Sequence, residues 1–226
     1  MQLADLWRYP VKSLAGERLA ASDLGDRGLP GDRGVAAFET SPHPKAKELS
    51  ARDVSPLLQF RSRLNGSGPE ISGPELAWTP WAEAQVGAAL NRRCRRTVEL
   101  RAVPEGAFDS FPILMVHLDT IRALGAELGR EVDRRRFRAN LYLDEGGIAP
   151  HGEPELAGRQ IRVGEAVLEV ARGCPRCAIT TRDPDTWASW PQLLRHLVQA
   201  HRELVGVYCL VAQPGRVAVG DGAELL

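Results

Sequence analysis

Cys174 and Cys177 stand in the run Gly-Cys-Pro-Arg-Cys-Ala-Ile-Thr-Thr-Arg-Asp-Pro-Asp-Thr, two thiols with two residues between them. Three chemistries are open to such a pair. It is half of a tetrahedral zinc site when two further Cys or His ligands stand at related spacing; here Cys94, Cys209 and the five histidines are scattered along the chain. It is a redox dithiol when the cysteines open a helix after a strand, yet Thr-Thr-Arg-Asp-Pro behind Cys177 is a poor helix start. Or it is a single thiolate on a loop, aimed at a metal or cofactor. Arg176 precedes Cys177; a neighbouring guanidinium favours an ionised thiol, and a thiolate is what a soft metal binds. A fourth reading, two buried cysteines packed as small hydrophobes, is common in general. The Pro-Arg between the cysteines and the polar run behind them count against that packing role, and of the other three the single thiolate meets the fewest objections.

A second group is Arg136-Phe137-Arg138-Ala139-Asn140. In an extended chain Arg136 and Arg138 project to one face with Asn140, and Phe137 to the other. Two guanidiniums and an amide make an anion site, or else a solvated polar face. Tyr9-Pro10-Val11-Lys12-Ser13, Gly31-Asp32-Arg33-Gly34 and Asp109-Ser110-Phe111-Pro112 each offer polar groups at a turn. Taken singly, each reads as a plain turn before it reads as a ligand contact.

The elements that must position these groups are mostly short. Leu3 to Tyr9 alternates as a strand does, and Val35 to Phe38 is a short apolar strand. Leu24 to Gly34 is rich in Gly, Pro and Asp, and residues 39 to 56 carry three prolines, so both are expected as loops. Short strands and turns follow to Ala82. Helices are expected over Trp81 to Leu90, within Leu114 to Leu128, and over Pro191 to Leu204, where apolar residues share one face. Ala139 to Leu143, two strands within Gln160 to Ala171, Val205 to Val211 and Arg216 to Val219 complete a β-rich pattern. The expected class is mainly β with α (α+β) and barrel-like.

The 226 residues suffice for one large domain or two small ones, and 43% hydrophobic with 26% charged residues is ordinary for a folded chain. The 29 basic and 29 acidic side chains cancel, so no nucleic-acid or membrane partner is implied. Only Lys12, Lys45 and Lys47 are lysines; arginine carries the remaining positive charge, which suits bidentate anion binding or simply reflects a GC-rich genome. No apolar stretch is long enough to span a bilayer, and charged residues interrupt the N-terminus too early for a secretory signal. A cytoplasmic location with reduced thiols is the expectation.

Taken in order, Tyr-Pro-Val-Lys-Ser, Gly-Asp-Arg, Arg-Phe-Arg-x-Asn, Cys-x-Arg-Cys-x-x-Thr-Thr-x-Asp-Pro-Asp-Thr and the closing Pro214 to Asp221 segment resemble MOSC-domain proteins. The similar subgroup carries an N-terminal β-barrel region and includes the mitochondrial amidoxime-reducing components and bacterial N-hydroxylamino-compound reductases. The resemblance implies a β-rich N-terminal region over residues 1–80 and a β-barrel MOSC domain over residues 81–226. It implies a pterin-type molybdenum cofactor (Moco) with Cys177 as metal ligand, and cofactor contacts at Lys12, Ser13, Arg33, Asp109, Ser110, Arg138, Asn140, Pro175 and Arg176. Asp185 matches a family position near the metal, where it would orient water or substrate or hold the loop. At family level the resemblance also implies pyridoxal phosphate binding. The implied activity is reduction of N-hydroxylated or N-oxide compounds, with electrons from a separate flavin or iron–sulfur protein. The alternative is a sulfur or cofactor carrier with a persulfide on Cys177. Trp187 departs from the glycine common at that place, the loop from Glu39 to Arg52 departs from the usual pattern, and no cluster cysteines of a ferredoxin-like domain follow.

Overall fold

Ile113 to Val116 is four apolar residues in a row, and all four side chains are buried, because the strand that carries them is covered on both faces. In the computed structural model, which describes residues 1–40 and 46–226, the chain starts with β1 (Gln2–Arg8), β2 (Glu17–Leu19), β3 (Ala21–Leu24), β4 (Val35–Glu39) and β5 (Lys47–Leu49). Then come β6 (Arg61–Asn65), β7 (Gly68–Gly73), β8 (Leu76–Pro80), α1 (Ala84–Cys94), β9 (Val98–Ala102), β10 (Ile113–His117) and α2 (Leu118–Leu128). The rest is β11 (Leu141–Asp144), β12 (Gln160–Val163), β13 (Ala166–Pro175), α3 (Pro191–His201), β14 (Leu204–Gln213), β15 (Gly215–Ala218) and β16 (Ala223–Leu225).

Contacts divide the chain into two units, neither continuous in sequence. Met1–Trp7, Arg18–Pro30 and Ser110–Leu226 form the first; Arg8–Glu17 and Gly31–Asp109 form the second.

The first unit is built on a sheet in the order β16-β12-β13-β14-β10-β11-β1-β2. β16-β12, β12-β13, β13-β14, β14-β10 and β11-β1 pair antiparallel and β10 with β11 parallel, and the crossover between those two holds α2 and a 3₁₀ turn over Arg134–Phe137. Strand alternation sends Ile113, Met115, Leu141 and Leu143 into one apolar cluster, with Ile161, Leu168 and Val207. It sends Leu114, Val116 and Tyr142 into another, with Ile121 and Leu124 of α2 and Leu193 and Leu197 of α3. The helix expected within Leu114 to Leu128 therefore begins at Leu118, with a central strand ahead of it. A continuous apolar run has no period by which to tell the two apart.

The class is α+β as expected, but the sheets do not close into the expected barrel. β16 is only three residues long and β1 carries a bulge between Leu3 and Asp5; the start of β1 meets the stretch before β16 at the bridge Gln2–Gly222, flanked by hydrogen bonds from Leu3 N to the Asp221 carbonyl and from Ala223 N to the Met1 carbonyl, without a continuous ladder. Among the described residues no helix is long and apolar enough to cross a membrane.

The second unit holds the antiparallel sheet β5-β4-β9 and the meander β6-β7-β8, matching the short strands and turns expected up to Ala82. α1 begins three residues later than the spacing predicts and ends on Arg95 in the left-handed conformation. Within the expected loop from 39 to 56, β5 forms over Lys47–Leu49, and residues 41–45 lie outside the described residues.

Candidate active site

The Cys177 turn is set by the end of β13. That strand pairs antiparallel with β14; the register slips between Gly173 and Pro175, Pro175 still pairs with Leu204, and the chain leaves the sheet after it. The partner strand yields at Gly206, whose φ of +70° and position against Met115 leave no room for a Cβ, which would sit 2.4 Å from the Met115 carbonyl oxygen. Beyond the strand, Cys177 is the extended residue that opens a 3₁₀ turn over Ala178–Thr181. The Thr-Thr pair ties that turn down: Thr180 donates its hydroxyl to the Cys177 carbonyl at 2.8 Å, and Thr181 donates to the Ala178 carbonyl at 2.7 Å.

The two cysteines part company here. Cys174 is buried in the cluster beneath α3, whereas Cys177 is half-buried and its sulfur accepts no hydrogen bond among the described residues. The other thiols, Cys94 and Cys209, lie in the core, where burial pushes them up to about 11 and about 12; at Cys94 the charges of Arg93 and Arg96 only partly offset this. Cys177 is thus the one cysteine of the four outside the buried interior.

Arg176 does not reach for Cys177. Its Nη1 donates to Cys174 Sγ at 2.8 Å and its Nη2 to the Phe137 carbonyl at 2.6 Å, joining the end of β13 to the 134–137 turn. Burial works against its charge, but the neighbouring Cys174, Tyr208 and Cys177 hold the guanidinium cationic. Its Nε is buried without a hydrogen-bond partner. Pro175 is exposed at the last strand position.

Behind the turn, Asp183 rather than Asp185 is the pivot. Asp183 Oδ1 accepts from the backbone N–H groups of Asp185 and Thr186 and from the Thr186 hydroxyl, and Oδ2 accepts from Arg136 Nη2 at 2.7 Å. Burial disfavours its ionisation, yet those bonds and the Arg136 charge hold its pKa below the usual carboxylate value. Arg136 is buried over Trp190, and desolvation lowers its own pKa against the pull of Asp183. Asp185 is exposed and takes both Nη groups of Arg135, at 3.0 and 2.5 Å.

The expected extended Arg136-Phe137-Arg138 face does not form. Arg134–Phe137 is a 3₁₀ turn capped by Asp133, and Arg138 follows with φ +54°. Arg136 and Arg138 therefore do not share a strand face. Asn140 is wholly buried: Oδ1 accepts from Leu114 N and Nδ2 donates to the Trp7 carbonyl, so its amide braces β10 against β1. On the same unit Ser110 accepts from Arg172 Nη2 at 2.8 Å. Arg172, exposed on β13 and lying against Phe111 and Tyr208, was not singled out by any motif. A cleft of about 590 Å³ opens beside Arg134 and Arg135, lined also by Trp7, Ile121 and Val132.

The remaining expected contacts lie in the second unit. Lys12 Nζ is 2.6 Å from Glu48 and 3.0 Å from Asp109, and Arg52 reaches Asp109 at 2.7 Å. Burial raises the Asp109 pKa, but Lys12, Arg52 and Arg33 together bring it below the ordinary value. Arg33 has φ +52°, pairs with buried Asp32 and lies 5.0 Å from the Tyr9 ring centre. Ser13 is buried and its hydroxyl oxygen accepts from Ala51 N at 2.9 Å. Lys12, Arg33 and Arg52 face Asp32, Glu48 and Asp109, so an incoming anion has to compete with these carboxylates for the cations.

A family model described as MOSC domain matches residues 104–224. The molybdenum cofactor sulfurase of Drosophila grimshawi is 26% identical over 249 residues, covering 92% of this chain and 32% of that protein. Mitochondrial amidoxime-reducing component 1 of Mus musculus is 26% identical over 131 residues, covering 52% of this chain and 37% of its own length. The chain thus spans about a third of the length of these relatives. Among solved structures, the YuaD protein of Bacillus subtilis matches 99% of this chain and 94% of its own with a TM-score of 0.56 at 15% identity, a likeness of fold.

Proposed function

Because the chain belongs to the MOSC-domain family, we propose that it binds the pterin-type molybdenum cofactor through Cys177 and reduces N-hydroxylated or N-oxide compounds. The observation that carries this reading is the state of Cys177: a half-buried sulfur without a hydrogen bond, on a turn held from both sides, while the other three thiols are buried. That is the donor a soft, dithiolene-bound metal accepts, so the residues present fit the group. Bound there, molybdenum would supply the two-electron redox chemistry by which N–OH, two electrons from the separate donor protein and two protons become N–H and water.

The protein's own contribution is ligation and placement. Cys177 supplies the sulfur. Thr180 and Thr181 keep its turn closed, and Arg176 fastens the strand end to the Phe137 carbonyl so that the thiol stays outside the sheet. Arg172, with Ser110, offers an exposed cation for an anionic part of cofactor or substrate. Electrons come from a separate flavin or iron–sulfur protein. The test is metal and pterin analysis after expression in a host that makes the cofactor: wild type is expected to carry molybdenum and Cys177→Ala none. A Cys177→Ala protein with full molybdenum and N-reductive activity sinks the reading.

A carrier role has one observation of its own. The relative named a molybdenum cofactor sulfurase aligns with 92% of this chain, against 52% for the amidoxime-reducing component. In that role Cys177 bears a persulfide, and the intact mass rises by one sulfur atom, lost on reduction and absent in Cys177→Ala.

A further inference from the structure

Three of the five histidines aim Nε2 at a single carboxylate. Glu127, in the last turn of α2, has Oε2 at 2.6 Å from His196 Nε2 and 2.7 Å from His201 Nε2. Its Oε1 lies 2.9 Å from His151 Nε2. His196 and His201 meet edge-on with ring centres 5.4 Å apart, and His151 stacks on His201 at 3.7 Å. One ligand atom each from Glu127, His196 and His201 lies within 4.8 Å of the others. Their side chains are 14 to 31% exposed, open enough to admit an ion.

We propose that Glu127, His196 and His201 bind a divalent transition-metal ion, zinc foremost, with His151 positioning the carboxylate from behind. Two imidazole nitrogens and one carboxylate oxygen suit zinc and its neighbours, and suit poorly the all-oxygen ions magnesium and calcium. Zinc bonds of about 2.1 Å set tetrahedral ligand atoms roughly 3.4 Å apart. The present spacings reach that with side-chain shifts of under about 1 Å.

His151 plays a different part because its Nδ1 is buried without a partner. The neutral tautomer that avoids an unpaired buried N–H carries its proton on Nε2, where it is donated to Glu127 Oε1. The lone pair on His151 then points away from the site, and its hydrogen bond orients the ligating carboxylate. Three protein ligands remain, with a further position left for water.

The test uses the full-length protein stripped with a chelator, then titrated with cobalt(II) and competed with zinc. Expected is one equivalent of cobalt with a visible d–d spectrum, no thiolate charge-transfer band, displacement by zinc, and a melting temperature raised by zinc. The double variants His196→Ala/His201→Ala and His196→Gln/His201→Gln are each expected to lose about 100-fold or more in affinity, and His151→Ala about tenfold. Folding is checked by circular dichroism, and the glutamine pair keeps side-chain bulk. The proposal is overturned if wild type gives no one-equivalent spectrum, if both double variants bind as wild type does, or if the signal is a thiolate band that Cys177→Ala removes. A loss in His151→Ala as large as in the double variants overturns the three-ligand assignment.

Discussion

One continuous segment, Cys174 to Thr186, supplies most of the groups that shape the Cys177 turn, whereas the Glu127 cluster gathers side chains from three separate stretches. In the turn the ties are short: Thr180 and Thr181 bond three residues back, and Thr186 bonds Asp183. In the cluster the partners are 24, 69 and 74 residues apart. Local hydrogen bonds hold their geometry whenever the segment is folded. A cluster spread over α2, α3 and the stretch around His151 exists only once the core between the helices has packed, through Leu124, Leu193 and Leu197. The turn should therefore tolerate loss of its ligand sulfur, and the cluster should depend on the packing beneath it.

Crossed substitutions break or sharpen that contrast most strongly. Cys177→Ala is expected to reduce molybdenum content to background while cobalt or zinc binding at Glu127 stays intact. His196→Ala/His201→Ala should do the reverse. Elemental analysis of the two purified variants beside wild type decides, and loss of both metals in either variant would show one site rather than two.

Next in size is Asp183→Asn. The change leaves Arg136, only 3% exposed, without its charge partner, a loss of about 3 kcal/mol in unfolding free energy. The pH dependence has a definite sign. Asp183 has a depressed pKa, so its contribution is present above the unfolded value of about 3.9 and is lost as pH falls through the folded value. Denaturant titrations from about pH 6 down to about pH 3 should show wild type losing this increment at the acid end while Asp183→Asn stays flatter.

Arg176→Met comes third. It leaves the Phe137 carbonyl without its 2.6 Å donor and frees Cys174 Sγ, which costs about 2 kcal/mol. Urea unfolding measures the loss. If Arg176 acts on the scaffold, as its bonds indicate, molybdenum occupancy should fall only in proportion to stability, and a full loss of metal from a stable variant would make it a direct cofactor contact.

What could be read in the sequence follows the same division. Strand alternation at Leu3 to Tyr9 and the paired strands of Gln160 to Ala171 became β1, β12 and β13, and α3 starts at the expected Pro191. The Cys177 motif was legible because its chemistry is written in adjacent residues. The spacing of Arg138 and Asn140 predicts one extended face; a 3₁₀ turn before them and a left-handed Arg138 instead set the Asn140 amide against Leu114 N and the Trp7 carbonyl. The histidines looked scattered because His196 and His201 stand five apart, off any single helical stripe, and reach Glu127 only because His201 ends α3. Arg172 sits among alternating strand residues and carries no local signal.

The smallest expected effect concerns Asp185, the acid for which the family resemblance implies a place near the metal. Its carboxylate is exposed and paired with Arg135, which Asp133 also holds, and surface pairs of this kind are worth about 0.5 kcal/mol. Asp185→Asn should thus leave stability and molybdenum content unchanged within error. Turnover is the discriminating readout. If Asp185 only holds the loop, kcat stays within about twofold of wild type, because Asp183 still closes the turn through Thr186. If it moves a proton or orients water, removing the charge lowers kcat by about 100-fold with KM little changed. The bidentate grip of Arg135 favours the first outcome, since a carboxylate engaged at both oxygens has little basicity left for a substrate.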